Sequence, residues 1–220
     1  MRTTRIVELD LAKPQPATRG LYTTSIAFAA TIWRVMRKFS STINQAASTK
    51  TKITKDMLLD AMASVMYRLL HAKFRPGSLD EAVRVGLLAF GSSVFLQWKQ
   101  TKLPDVLFPL EYKACMLQSQ LLDASPQLWL WLLMMGAMAA MGKADHRWVY
   151  PLMRVNIEAC GIESWTEARE MMKSLLWIGL VQDHVGQEIF EAALGSDGGG
   201  VASREPSQAG QACVLLGTTW

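Results

Sequence analysis

Residues 125–177 read SPQLWLWLLMMGAMAAMGKADHRWVYPLMRVNIEACGIESWTEAREMMKSLLW, and this stretch decides the fold. Ser125 is a helix N-cap, and Pro126 stands at the first helical position, where its missing N–H costs nothing. Leu128 to Met141 is apolar nearly all round, which predicts the central and most buried helix. Gly136 and Ala140 are a small pair on one face that lets a neighbouring helix come close, and Gly142 ends the run. A polar turn leads to a second helix from near Asp145, carrying Arg147 and Trp148. Pro151 removes a hydrogen bond inside that helix and crowds the preceding turn, so a kink or a late start is expected there. Gly161 stops it. Ser164-Trp165-Thr166-Glu167 is a capping box, opening a third helix through Trp177.

Helical signals continue on either side. Leu21 to Ile43 predicts a first helix with Ile26, Trp33, Met36 and Phe39 near one face; the Thr/Lys-rich residues Ser41 to Thr54 read as a loop. Thr54 to Phe74 is a second helix, with Leu58, Met62, Val65 and Leu69 at helical spacing. Arg75-Pro76-Gly77 is a break. Ser78-Leu79-Asp80-Glu81 is another capping box, opening a helix to about Trp98 with the stripe Val83, Leu87, Phe90, Val94 and Trp98. Val106 to Leu122 is a further helix, and Asp183 to Leu194 a short last one. No strand pattern is found. The fold class expected is all-α: an irregular multi-helix domain of about seven helices over residues 21–194. An extended basic arm, residues 1–20 with Pro14, Pro16 and Gly20, precedes it, and a Gly/Ser-rich tail, residues 195–220, is expected to be flexible and disordered.

Composition agrees with a helical core. Half of the 220 residues are apolar and 19% are charged, with 8 Trp and 13 Met. Aromatic anchors and pliable Met side chains suit an interior with irregular gaps. The net charge of +4 conceals an asymmetry: Met1 to Lys55 holds ten Lys/Arg against two acids, Glu8 and Asp10. Such an excess fits a solvated tail and helix face, or contact with nucleic acid or an anionic membrane. The longest apolar run, Leu128 to Gly142, has 15 residues, short of the about 18 that a membrane span needs, so no transmembrane segment is expected.

Candidate chemistry is sparse. Cys115, Cys160 and Cys213 are 45 and 53 residues apart, without a zinc-site spacing, and Cys115 and Cys160 read as small buried apolar residues. His71, His146 and His184 show no metal-ligand spacing. His146 and His184 each follow an Asp, but adjacent residues on a helix do not face each other. The Gly-rich GSDGGG at residues 195–200 has no helix after it and is no phosphate cradle. Met134, Met135, Met138 and Met141 fit core filling better than a partner groove. The expectation is therefore no catalytic residue, no cofactor site and no metal site.

One resemblance goes further. A Trp-bearing apolar helix, a small-residue segment, an acidic turn, Arg147-Trp148, Gly161, and a Ser164-Trp165…Glu167-Ala168 helix ending in an apolar-Trp pair follow in order. This pattern resembles the C-terminal part of the fungal-specific transcription factor domain, found behind six-cysteine binuclear zinc clusters. The segment SLDEAVRVGLLAFGSSVFLQW, residues 78–98, also resembles that family, extending the likeness to roughly Ser78–Trp177. The resemblance implies a nuclear, non-enzymatic regulatory or dimerisation domain, with a protein partner or a second copy as its contact. The six-cysteine DNA reader is missing here, which implies a fragment, a stand-alone relative or a product without its reader, and no sequence-specific DNA binding by this chain alone. The alternative is a helical interaction protein, or one that lies on a membrane surface through Leu21 to Phe39 and the basic arm, and is otherwise cytoplasmic.

Overall fold

The computed structural model describes residues 23–50, 55–99, 107–118 and 124–195. The expected arm, the expected tail beyond Gly195, and residues 51–54, 100–106 and 119–123, which include both ends of the helix expected over Val106 to Leu122, lie outside the described residues. Among the described residues the fold is all-helical, with eight α-helices: α1 Thr23–Thr49, α2 Lys55–His71, α3 Leu79–Lys99, α4 Leu107–Gln118, α5 Pro126–Ala139, α6 His146–Ala159, α7 Trp165–Leu175 and α8 Gly179–Gly195. A 3₁₀ turn, Lys143–Asp145, leads into α6.

Helix α5 is the axis of the packing. Ser125 Oγ accepts the Leu128 N–H at 3.3 Å, and Leu130 to Gly136 are consecutively buried. Helices α3, α4, α6, α7 and α8 all lie against it. Small residues set the approach: a β-carbon at Gly136 would come within 2.5 Å of the Tyr112 ring of α4. Tyr112 is fully buried, and its hydroxyl donates to the Leu132 carbonyl at 2.6 Å. Burial pushes that hydroxyl's pKa up, so the phenol stays protonated and remains a donor. The expected stripes are interior: Trp33 and Met36 of α1, Met62, Val65 and Leu69 of α2, and Val83, Leu87, Phe90 and Val94 of α3 are buried. Met134 and Met135 are wholly buried, and Met138 and Met141 pack against the same core.

The structure departs from the sequence reading in several places, and α2 ends at His71, short of Phe74. Helix α1 continues to Thr49 through the residues read as a loop. The Thr42 hydroxyl donates back to the Lys38 carbonyl and that of Thr49 to the Gln45 carbonyl, both at 2.9 Å. The polar residues thereby satisfy their hydroxyls within the helix while Ile43 goes into the core. Helix α7 ends at Leu175 rather than Trp177, because Leu176 is extended at φ −157°, ψ 107°. Helix α8 begins at Gly179, a turn before Asp183, and is longer than expected. Pro151 does not interrupt α6, which runs unbroken from His146 to Ala159. Pro151 and Arg147 are both exposed, so the carbonyl that lacks its donor faces water.

Both capping boxes form by half. Ser78 Oγ accepts the Glu81 N–H at 3.2 Å, but the Glu81 carboxylate turns to Arg84, 2.6 Å away. Arg84 in turn donates to the Leu69 carbonyl at 3.3 Å, tying the end of α2 to the start of α3. Ser164 Oγ accepts from the Glu167 N–H at 3.3 Å, and the Glu167 carboxylate takes the N–H of Glu163, one residue before the cap. The stop at Gly161 has φ +64°. Gly161 N–H donates to Glu158 O at 2.9 Å and Ile162 N–H to Ile157 O at 3.1 Å, the paired closure that a left-handed residue makes.

Two glycine substitutions separate backbone strain from crowding. Gly161→Ala has open space for its methyl group, so its cost is conformational, about 1 kcal/mol. At Gly186 of α8 the methyl would come within 2.7 Å of Trp177 and 2.8 Å of Trp165. Gly186→Ala should cost about 1–3 kcal/mol through overpacking. Urea melts should place the Gly186 variant at the lower midpoint, with helical content retained in both.

Candidate functional site

The densest polar arrangement lies where no signal in the sequence marked one, at the link between α7 and α8. Leu176, Trp177 and Ile178 are non-helical yet buried, at 1%, 0% and 0% exposure. Their backbone groups therefore need partners other than water. Trp131 Nε1 of α5 donates to Leu176 O at 2.7 Å. Asn44 of α1 serves two groups at once: Nδ2 donates to Trp177 O at 2.7 Å, and Oδ1 accepts the Gly179 N–H at 3.0 Å. Gln182, itself fully buried, accepts the Ile178 N–H at 2.8 Å and donates to Ser93 Oγ of α3 at 3.1 Å. The Ser93 hydroxyl donates in turn to Phe90 O at 2.8 Å.

Trp177 is fixed at its other end. Its indole N–H donates to Asp183 Oδ1 at 2.7 Å, and Asp183 Oδ2 meets Arg169 at 2.6 Å. That carboxylate raises the guanidinium's pKa. Trp165 packs edge-on to Trp177 with ring centroids 6.0 Å apart. Among the buried side-chain nitrogens and oxygens of this chain of contacts, only Arg169 Nε lacks a protein partner. The arrangement positions backbone; it presents no nucleophile beside a base and no open acid–base pair.

A second cluster surrounds the acidic turn before α6. Asp145 Oδ1 accepts from Lys113 Nζ of α4 at 2.7 Å and from Trp148 Nε1 at 3.2 Å, while Oδ2 accepts the Gly142 N–H at 3.1 Å. Lys113 also stands 5.8 Å from the centre of the Trp148 ring. The cation over Trp148 is thus Lys113, and its sequence neighbour Arg147 is exposed. The hydrogen bond from Lys113, with smaller help from Trp148 and Gly142, holds the Asp145 pKa below the ordinary carboxylate range.

The remaining residues considered from the sequence stay apart. His71 Nδ1 lies 2.8 Å from the Tyr67 carbonyl, His146 stacks on Tyr150 at 4.5 Å, and His184 lies 3.7 Å from Glu188. Cys115 is buried and Cys160 half-buried, and burial pushes the Cys160 pKa up, away from thiolate chemistry. Cys213 lies outside the described residues. Among the described residues, no three His, Cys, Asp or Glu side chains are grouped to hold a metal ion. No helix among them is long and apolar enough to cross a membrane. No family model, curated protein or solved structure matches the chain.

Two measurements test these clusters. Asn44→Ala strips partners from the carbonyl of buried Trp177 and the part-buried Gly179 N–H together, and should cost about 2–3 kcal/mol in chemical denaturation. For Asp145, the depressed pKa means stabilisation that is complete above the unfolded carboxylate's pKa of about 3.9 and is lost as pH falls through the lower folded value. Asp145→Asn should therefore lower the unfolding free energy at pH 7 by about 1 kcal/mol, given the part-exposed lysine. The gap from wild type should then narrow as both are acidified below about pH 4.

Proposed function

We propose that this chain is a non-enzymatic helical regulatory or dimerisation domain of the fungal transcription factor kind, working in the nucleus through protein contacts. The observation that carries the reading is a set of exposed apolar side chains at helical spacing. Leu110 and Leu117 of α4 are 60% and 63% exposed, and Leu152 and Val155 of α6 are 41% and 61% exposed. Residues seven or three apart share a helix face, so each pair offers a partner a contiguous apolar ridge on an already filled core.

The test is tethering. Fused to an unrelated DNA-binding module in yeast, the chain should change a reporter's output by about threefold or more, and Leu110→Ser/Leu117→Ser should abolish the change at equal protein level. No effect of the wild-type fusion would reject the regulatory reading. By itself the chain should bind duplex DNA only through phosphate contacts, with affinity falling steeply as salt rises. A roughly thousandfold preference for one sequence over random DNA, as specific readers show, would mean that it carries its own reader.

A further inference from the structure

The C-terminal end of α2 and the turn after it carry a feature that neither the core nor the proposed regulatory contacts use. Tyr67 and Leu70 are 64% and 65% exposed, the two most exposed large apolar side chains among the described residues. They lie three apart and so share a face of the helix. His71, one turn on from Tyr67, stacks against its ring at 4.1 Å. With about two thirds of their surface in water, these side chains protrude; they do not line a groove.

The charge around them has one sign. Between Asp60 and Asp80 the sequence holds no acidic residue, while Arg68, Lys73 and Arg75 are all present and exposed, with His71 among them. The neighbouring cation Arg84 is engaged by Glu81 and the Leu69 carbonyl, so it belongs to the structure and is not counted with the patch. Phe74, between Lys73 and Arg75, is half-buried.

An apolar tip ringed by flexible cations suits a soft anionic surface. The Tyr ring and Leu side chain enter the interfacial region, and the Arg and Lys stems lie along the apolar boundary with their charges at the headgroups. A folded protein partner would need a cavity shaped to receive the tip, whereas a bilayer deforms around it. We propose that the α2 C-terminal edge, Tyr67 and Leu70 with Arg68, Lys73 and Arg75, docks on anionic lipid membranes. This goes beyond the regulatory reading and stands independently of it, because it uses a different face and a different partner.

The test uses the full chain and large vesicles of phosphatidylcholine, with and without roughly 30 mol % phosphatidylserine, in co-sedimentation. Binding should require the anionic lipid and weaken strongly between about 0.1 M and about 0.5 M salt. Each Lys or Arg at such a surface changes partitioning by about fivefold. Arg68→Glu/Lys73→Glu/Arg75→Glu should therefore lose at least about a hundredfold, and Tyr67→Ser/Leu70→Ser about tenfold. Arg34→Ser/Arg37→Ser/Lys38→Ser, on the exposed face of α1, should stay within about threefold of wild type. Circular dichroism checks each variant. If the triple reversal does not fold, Lys73→Gln/Arg75→Gln, both in the segment after the helix, should still lose about twenty-fivefold. The proposal is overturned if wild type ignores anionic vesicles, if the α2 variants bind as wild type does, or if only the α1 variant loses binding. It is equally overturned if Tyr67→Ser/Leu70→Ser dissolves a homodimer or abolishes capture by an acidic peptide while vesicle binding persists.

Discussion

A single side-chain amide, that of Asn44, holds the ends of the described fold together. It reads the backbone from Trp177 to Gly179 as a neighbouring strand would, giving an N–H to one carbonyl and taking an N–H from two residues further on. The chain there cannot be helical, because Leu176 is extended and Trp177 must point into the core between α7 and α8. Nor can it be solvated. Only a side chain with both a donor and an acceptor, brought from another helix, satisfies those two groups at once, and Asn offers both on a short, stiff stem.

Other features follow from that need. Gln182 and Trp131 serve the remaining backbone groups of the link, so α1, α3, α5 and α8 meet at one place. The hydrophobic effect drives these helices together without specifying register, and apolar faces tolerate sliding. Directed hydrogen bonds to fixed carbonyls do not. A shift of one residue in α1 would remove Asn44 from both partners and leave buried groups unpaired, at several times the cost of misplacing a methyl. The interior is not perfectly satisfied: Trp33 Nε1 and Ser40 Oγ of α1 are buried without a partner. Trp33 is held instead by its edge-on contact with Trp131, ring centroids 5.1 Å apart.

What the sequence made legible was local. The all-helical class, the capped starts at Ser78, Ser125 and Ser164, the stop at Gly161 and the buried stripes of α1, α2 and α3 follow from spacing and cap chemistry, which act within a turn or two. What it concealed was long-range. Ser41 to Thr49 has loop composition, and only the burial of Ile43 and the distant partners of Asn44 explain why it stays helical. Leu175 to Asp183 has no break residue except Gly179, so nothing nearby revealed that the helix stops before Trp177. The Lys113–Asp145 pair was hidden likewise, since its members belong to separate helices. Nor is α1 peripheral, for all its basic surface: Trp33, Met36 and Ile43 are buried, and Asn44 reaches the link between α7 and α8.

The distance along the chain between Asn44 and its partners has a bearing on synthesis. Those partners are 133 and 135 residues downstream, so on a ribosome α1 emerges early and waits while nearly all the remaining helices are made. At about 5–20 residues per second that interval lasts on the order of ten seconds, far longer than a helix needs to form or dissolve. Throughout it the inner face of α1, with Trp33, Met36 and Ile43, has no completed core to enter. Asn44 can meet both of its partners only once Gly179, the first residue of α8, has been made.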